Sequence, residues 1–326
     1  MTELPYVATP QRCATMPVHR RLLDSAPGYA GRCAELENFT FRRPEAARQE
    51  VARIPVVVHV VRESPDDVGD EQVAGQIEVL NRDFRGETPD IALIPEVWRG
   101  LVGDARVEFF LAEEDPDGEP TSGIIRVPTS VPAFGTDDSV KAGATGGSDA
   151  WPAEHYLNIW VCQLAGGVLG YAQFPSGPPT TDGVVITHTA FGTTGTAITP
   201  FDGGRTTTHE VGHWLNLRHI WGDDGEGCHG SDFVDDTPNQ GGPNQGRPTY
   251  PTVSCANGPH GDMFMNFMDY TDDACMAMFT AGQVERMNAA LSGPRAALLT
   301  APAGSPSAGT AATGTASTAG QASAGH

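Results

Sequence analysis

Four residues of one short string, HEVGHWLNLRH, carry the chemistry: His209, Glu210, His213 and His219. Two histidines four apart share one face of a helix and can grip one metal ion. Glu210, beside the first of them, can polarise a water on that metal without ligating it. Zinc suits imidazole and needs no redox partner. A surface helix with two histidines is the bland alternative, and His219 tells against it. Six residues beyond His213, a continuing helix would carry it to the wrong side. The helix must therefore stop near Asn216 and turn back, and asparagine tolerates the left-handed conformation such a stop needs. Three protein ligands leave a fourth position open for water, the mark of a catalytic zinc.

Something must position these side chains. Thr206, Thr207 and Thr208 offer caps before or within the first turn of the helix, and Val211, Trp214, Leu215 and Leu217 give it an apolar side. Upstream, the β-branched run Ile54 to Val61 reads as a strand. Val73, Ile77, Leu80 and Phe84 recur at helical spacing. Val107, Phe109 and Leu111 alternate, and Tyr156 to Cys162 and Gly183 to Ile186 are further strands. Strands alternating with helical patterns predict an α/β sheet in this half. From about residue 222 to 262 periodicity dissolves into Gly, Asp, Asn and Pro, and so long a loop needs a function or a stabiliser. A last helix begins at Thr280, with Gln283 completing a capping box, and runs through Val284, Met287 and Leu291.

The chain has 326 residues and a formal charge of -21, from 20 basic and 41 acidic side chains. That balance argues against nucleic acid as a partner and suits acidic loops that bind calcium. No apolar run approaches the roughly 20 residues needed to cross a bilayer, so no membrane partner is expected. The first residues do not read as a secretory signal. Six cysteines without a CxxC pair exclude a cysteine zinc site and permit disulfides. Residues 1–53 form a separate N-terminal segment with arginines at 42, 43, 48 and 53. Residues 293–326 form a low-complexity tail expected to be disordered.

HEVGHWLNLRH resembles the metzincin pattern HExxHxxGxxH, with Asn216 in place of the usual glycine. Met265-Asn266-Phe267-Met268-Asp269-Tyr270 resembles the metzincin Met-turn. Together with HIWGDDGEGCHGSDFVDDTPNQ and NFMDYTDDACM, these strings resemble the pappalysin family, in particular its small ulilysin-like microbial members, over residues 54–292. The resemblance implies an α/β (α+β) catalytic domain in two subdomains. The upper one has a twisted mixed sheet and the active-site helix; the lower one is irregular and ends in the C-terminal helix. It implies a secreted, monomeric zinc endopeptidase acting on polypeptides, made as a latent zymogen. On that resemblance Met268 is expected beneath the zinc, and Tyr270 is expected to turn toward the metal or steady the oxyanion. Asp273, with Asp272 beside it, matches the position that lines the family's S1′ pocket and is expected to favour Arg or Lys after the scissile bond. By the same resemblance Asp232, Asp235 and Thr237 are expected to bind a structural calcium ion, and Cys228 and Cys255 match a disulfide of the family. Cys275 lacks its expected partner, since position 247 is Arg247; it is free or pairs with Cys162. Cys13, in Gln11-Arg12-Cys13-Ala14-Thr15-Met16, matches a latency cysteine whose thiolate takes the fourth zinc position; a Cys13–Cys33 disulfide is the alternative. The arginines at the end of the segment suit autolysis. Gly166 to Ala172 falls where the family has a strand at the upper rim of the cleft. A binding protein on the same scaffold would have lost a ligand or the glutamate, and the Met-turn argues against an amidase. The metzincin spacing of His219 disfavours a distant glutamate as the third ligand.

Overall fold

The computed structural model describes residues 12–42, 48, 50–225 and 227–299. Arg43 and the tail beyond 299 lie outside the described residues. The chain opens with two helices, α1 (Thr15–Ser25) and α2 (Tyr29–Arg42), then enters β1 (Ala52–Arg62). Helices α3 (Asp70–Phe84) and α4 (Glu96–Arg99) follow, then β2 (Val107–Leu111), β3 (Ile124–Pro128), β4 (Leu157–Cys162), β5 (Gly170–Ala172) and β6 (Val184–Thr187). The motif helix is α5 (Arg205–Trp214). Two short strands, β7 (Gln245–Gly246) and β8 (Tyr270–Thr271), pair in the loop region, and α6 (Ala281–Ser292) comes last.

The sheet order is β2-β1-β4-β6-β5. Parallel β2 and β3 share one side of β1, from Ala52↔Val107 to Val56↔Leu111 and from Val58↔Ile124 to Arg62↔Pro128. Parallel β4 lies on the other side, and β5 closes the sheet as an antiparallel edge strand. Strand β1 is buried along nearly its whole length, which explains its unbroken apolar run.

Side chains alternate between the faces of a strand, and they divide the core accordingly. Ile54, Val56, Val58, Val60, Ile159, Val161, Val184 and Ile186 pack with Leu80 and Phe84 of α3, Val211 and Trp214 of α5, Met268, and Met287 of α6. Val61, Trp160, Cys162, Tyr171 and Val185 face the opposite way and are covered by Ala14, Val18, Leu22 and Tyr29 of the N-terminal segment. That segment is thus a packed layer of the molecule. Its helices have buried faces and the strand at 124–128 is half-buried, although the sequence reading singled out none of the three.

Two further details differ from expectation, in the tail and at the cap of α5. The described residues of the tail do not leave the body at once: Leu298 is buried, and Arg295 pairs with Asp182 and donates to the carbonyl of Trp214. Helix α5 is not capped by its threonines. Its N-cap is Gly204 at φ 74°, and Thr207 and Thr208 instead donate to Gln76 and Asp83. Cys228 and Cys255 are bonded across 27 residues of the aperiodic loop, whereas Cys13, Cys33, Cys162 and Cys275 are free thiols. Neither Cys13–Cys33 nor Cys162–Cys275 is formed. No described helix is long and apolar enough to cross a membrane.

Candidate active site

Helix α5 places His209, Glu210 and His213 beneath the edge strand β5. The chain then turns at Asn216, whose φ is 73°. Leu217 donates to the carbonyl of Gly212 at 3.0 Å and Asn216 to that of His213 at 2.9 Å, which closes the helix end. The turn brings His219 back to the other two. The expectation set on Asn216 is met without glycine.

Each imidazole commits its Nδ1. His209 donates to the Phe267 carbonyl and His213 to the Leu217 carbonyl, both at 2.7 Å, and His219 donates to Asp223 Oδ1 at 2.6 Å. A carbonyl or carboxylate partner requires the proton on Nδ1, so every Nε2 presents a bare lone pair. Yet Nε2 of His213 lies 3.1 Å from Nε2 of both His209 and His219. Three acceptors that close repel one another unless a cation lies among them. Burial holds His209 and His213 neutral, the form that ligates a metal: it is the main cause lowering His209 to about 3, with His219 adding to it, and it is the main cause lowering His213. The donor set fits zinc, and the Nδ1 bonds are the outer-shell contacts such a site needs.

Ligand atoms of Cys13, His209, His213 and His219 all fall within 4.8 Å of one another, and all four residues are buried. Glu210 is buried too. Its Oε2 accepts from Thr15 Oγ1 at 2.8 Å and from Cys13 Sγ at 3.5 Å, while Oε1 has no partner. Burial raises its carboxyl to about 8, against the two hydrogen bonds. Burial also pushes the Cys13 thiol up, and nearby Glu210 adds to it.

Cys13 reaches this position because the N-terminal segment runs along β5. Ala14 N–H donates to the Gly170 carbonyl, Leu169 N–H to the Arg12 carbonyl, and Ala172 N–H to Thr15 Oγ1. A methyl group on Gly170 would lie 2.9 Å from Glu210 Cγ, so the glycine makes room for the glutamate. The strand expected at the upper rim is therefore present, with its edge taken by residues 12–15. On the other side of the cluster Met268 is fully buried. A methyl group on Gly212 would come within 2.6 Å of its sulfur. Tyr270 Oη lies 3.1 Å from His219 Nε2 and 3.5 Å from the Cys13 carbonyl.

Asp273 lines the pocket beside His209 and Glu210, with Arg12, Phe201, Arg205 and Met276. Its Oδ2 accepts from the backbone N–H groups of Gly203 and Arg205, so this carboxylate also caps α5. Burial raises it to about 6 against those two bonds. The guanidinium of Arg12 enters the same pocket. It lies over the Phe201 ring at 4.7 Å, donates to the Tyr270 carbonyl and approaches Asp272 at 3.8 Å. Arg12, Thr15 and Asp223 have no role in the sequence reading. A charged residue beside Cys13 and a carboxylate four residues past His219 were signals that could have found two of them.

The expected calcium residues come together only in part. Thr237 Oγ1 donates to Asp232 Oδ2 at 2.8 Å, and Asp232 is buried, with burial raising it to about 6. Asp235 is exposed. Asp236, not anticipated, accepts from Thr280 Oγ1 and Gly282 N–H at the start of α6.

Comparison with known proteins gives this geometry a family. The family profile described as pregnancy-associated plasma protein-A matches residues 142–292. An extracellular metalloprotease of Pyricularia oryzae is 38% identical over 212 residues, 60% of this chain and 70% of that protein. Mature mirolysin of Tannerella forsythia, solved with a cleaved peptide, is 50% identical with a TM-score of 0.75, covering 77% of this chain and 97% of that one. A mutant of Tannerella forsythia promirolysin is 46% identical with a TM-score of 0.82, covering 89% and 97%. The higher score and wider coverage of the proenzyme extend the likeness beyond the mature domain. The chain therefore belongs to the pappalysin family and is a metalloendopeptidase.

Proposed function

We propose that His209, His213 and His219 hold a zinc ion, that Glu210 is the general base, and that residues 1–53 keep the enzyme latent. The convergence of three bare Nε2 atoms beside a buried, half-satisfied carboxylate carries this reading. Zinc supplies Lewis-acid polarisation of a water and of the scissile carbonyl. Glu210 takes the proton of that water and returns it to the leaving amine. Tyr270 Oη donates to the oxyanion, and Met268 seats the three imidazoles from below. Glu210→Ala keeps zinc and lowers kcat/KM by at least about a thousandfold; appreciable cleavage by the zinc-loaded variant would refute the assignment.

Latency would rest on Cys13, whose sulfur lies with the three imidazoles and would join them in holding zinc, and on Thr15, which donates to Glu210. Cys13→Ala speeds conversion to the active form, and an unchanged rate would leave the thiol without that role. Conversion removes the segment near Arg42, Arg43, Arg48 or Arg53 by autolysis. This leaves residues 54–292 as the catalytic domain, which N-terminal sequencing of the active form checks. Asp273, with Asp272, selects Arg or Lys after the scissile bond, as a guanidinium already lies in that pocket. Asp232, Asp235 and Thr237 bind calcium in the loop closed by Cys228 and Cys255. A thermal midpoint indifferent to calcium, in zinc-loaded protein, would exclude that ion. The named relatives are extracellular, and export is the fitting destination for a protein with a disulfide. Its appearance in culture medium is the test.

A further inference from the structure

We infer that Arg218 is a specificity determinant that favours an acidic substrate side chain on the N-terminal side of the scissile bond. Arg218 precedes His219 and is half-buried. Its guanidinium lies between two aromatic rings, 5.7 Å from the centre of Phe174 and 5.2 Å from that of Phe233. Its Nε is buried without a hydrogen bond, and among the described residues no carboxylate comes within salt-bridge distance. The other arginines around the cleft differ. Arg12, Arg205, Arg286 and Arg295 each have a carboxylate partner. In a chain with 41 acidic residues against 20 basic ones, a half-buried cation without a carboxylate partner is an anomaly.

Its place defines what it would meet. Phe174 packs edge-on against His213 at 5.5 Å and against His19 at 5.0 Å, so Arg218 is one ring removed from the histidine cluster. Arg12, Phe201 and Asp273 line the pocket beside His209, with Asp272 against Arg12, and neither Phe174 nor Arg218 is part of that lining. The inference rests on the proposal that the latter side takes the residue after the scissile bond and that residues 1–53 depart. Arg218 then belongs to the side that holds the preceding residues. In the present state its charge acts on His19, Tyr29 and Cys33 of the N-terminal helices, none of them a carboxylate. Glu37, nearby, is committed to Arg286 and Asn216. The segment thus covers the cation without neutralising it. The flanking rings hold a guanidinium flat and leave its edge free for a carboxylate in bidentate contact.

The test is a peptide-library cleavage profile of the activated enzyme, of Arg218→Gln and of Arg218→Glu. The wild-type enzyme cleaves peptides with Asp or Glu at one of the residues preceding the bond about five- to tenfold better in kcat/KM than the Asn or Gln counterparts. The ratio collapses toward one in Arg218→Gln, and Arg218→Glu prefers Lys or Arg there. No acidic preference in the wild-type enzyme, or a preference that survives Arg218→Gln with zinc retained, overturns the inference. Should the variants lose zinc, the wild-type ratio for paired Glu and Gln peptides decides. It falls with added salt if a charge is being read, and a salt-independent ratio overturns the inference. The residue after the bond is scored separately in the same library, so failure of the Asp273 pocket is distinguishable from failure of Arg218.

Discussion

The two halves of the site are positioned by different means. Above the histidine cluster, β5, β6 and α5 hold Gly170, Glu210 and His213 through regular backbone pairing over a continuous apolar core. Below it, residues 215–280 have almost no regular structure, and polar side chains bond to one another and to backbone instead. Asp269 alone accepts from Gln240, from Asn244 through both backbone and side chain, and from Tyr270 N–H. Asp262 accepts from Ser254, Asn257 and Asn244. The upper half spreads its stability over many equivalent contacts. The lower half concentrates it in a few buried acceptors and one disulfide, so single substitutions should hurt it more.

The strongest way to break this contrast is Asp269→Ala. It strands four donors and is expected to cost about 3–5 kcal/mol, seen as a fall in the denaturation midpoint. A cost below 1 kcal/mol would place the loop's stability elsewhere. A second test belongs to the sheet. His59 is buried between Ser148 and Asn158, and burial lowers it to about 4. Unfolded histidine takes a proton near 6.5, so the stability this neutral ring contributes is complete above that pH. It is lost as pH falls toward 4. At pH 5 the loss is about 2 kcal/mol. His59→Gln should lose less stability than wild type between pH 7 and pH 5, and equal losses would clear His59. The smallest effect is expected at Asn216. Asn216→Gly keeps the left-handed turn and changes stability by under about 1 kcal/mol. Asn216→Val adds a penalty of about 1–2 kcal/mol and weakens zinc retention, measured as metal content after dialysis.

The same contrast decides what was legible in the sequence. The ligand string, the stop at Asn216, the capping box at Thr280 and the strands of the sheet all carry local signals: spacing, periodicity or a turn residue. The cap of α5 carries none, because Asp273 comes from some 70 residues away and local threonines are equally plausible caps. The second face of the sheet was illegible for a related reason. Val61, Trp160 and Tyr171 read as strand residues, but nothing in them says that Val18 and Leu22 cover them. Arg12 is visible beside Cys13, yet only the path along β5 places its guanidinium in the pocket. The loop that joins Asp262 and Asp269 to their donors is aperiodic, and its bonds leave no repeating trace.

Gly212 makes the halves depend on each other at a single atom. It belongs to the helix above, and the sulfur it faces belongs to the loop below. Of the common amino acids only glycine omits the carbon that would strike Met268. The joint is therefore asymmetric in what it tolerates. Met268 can be shortened at the cost of a void, whereas any enlargement at Gly212 must drive helix and loop apart. The freedom to vary this active site lies with the loop, and the helix sets its limits.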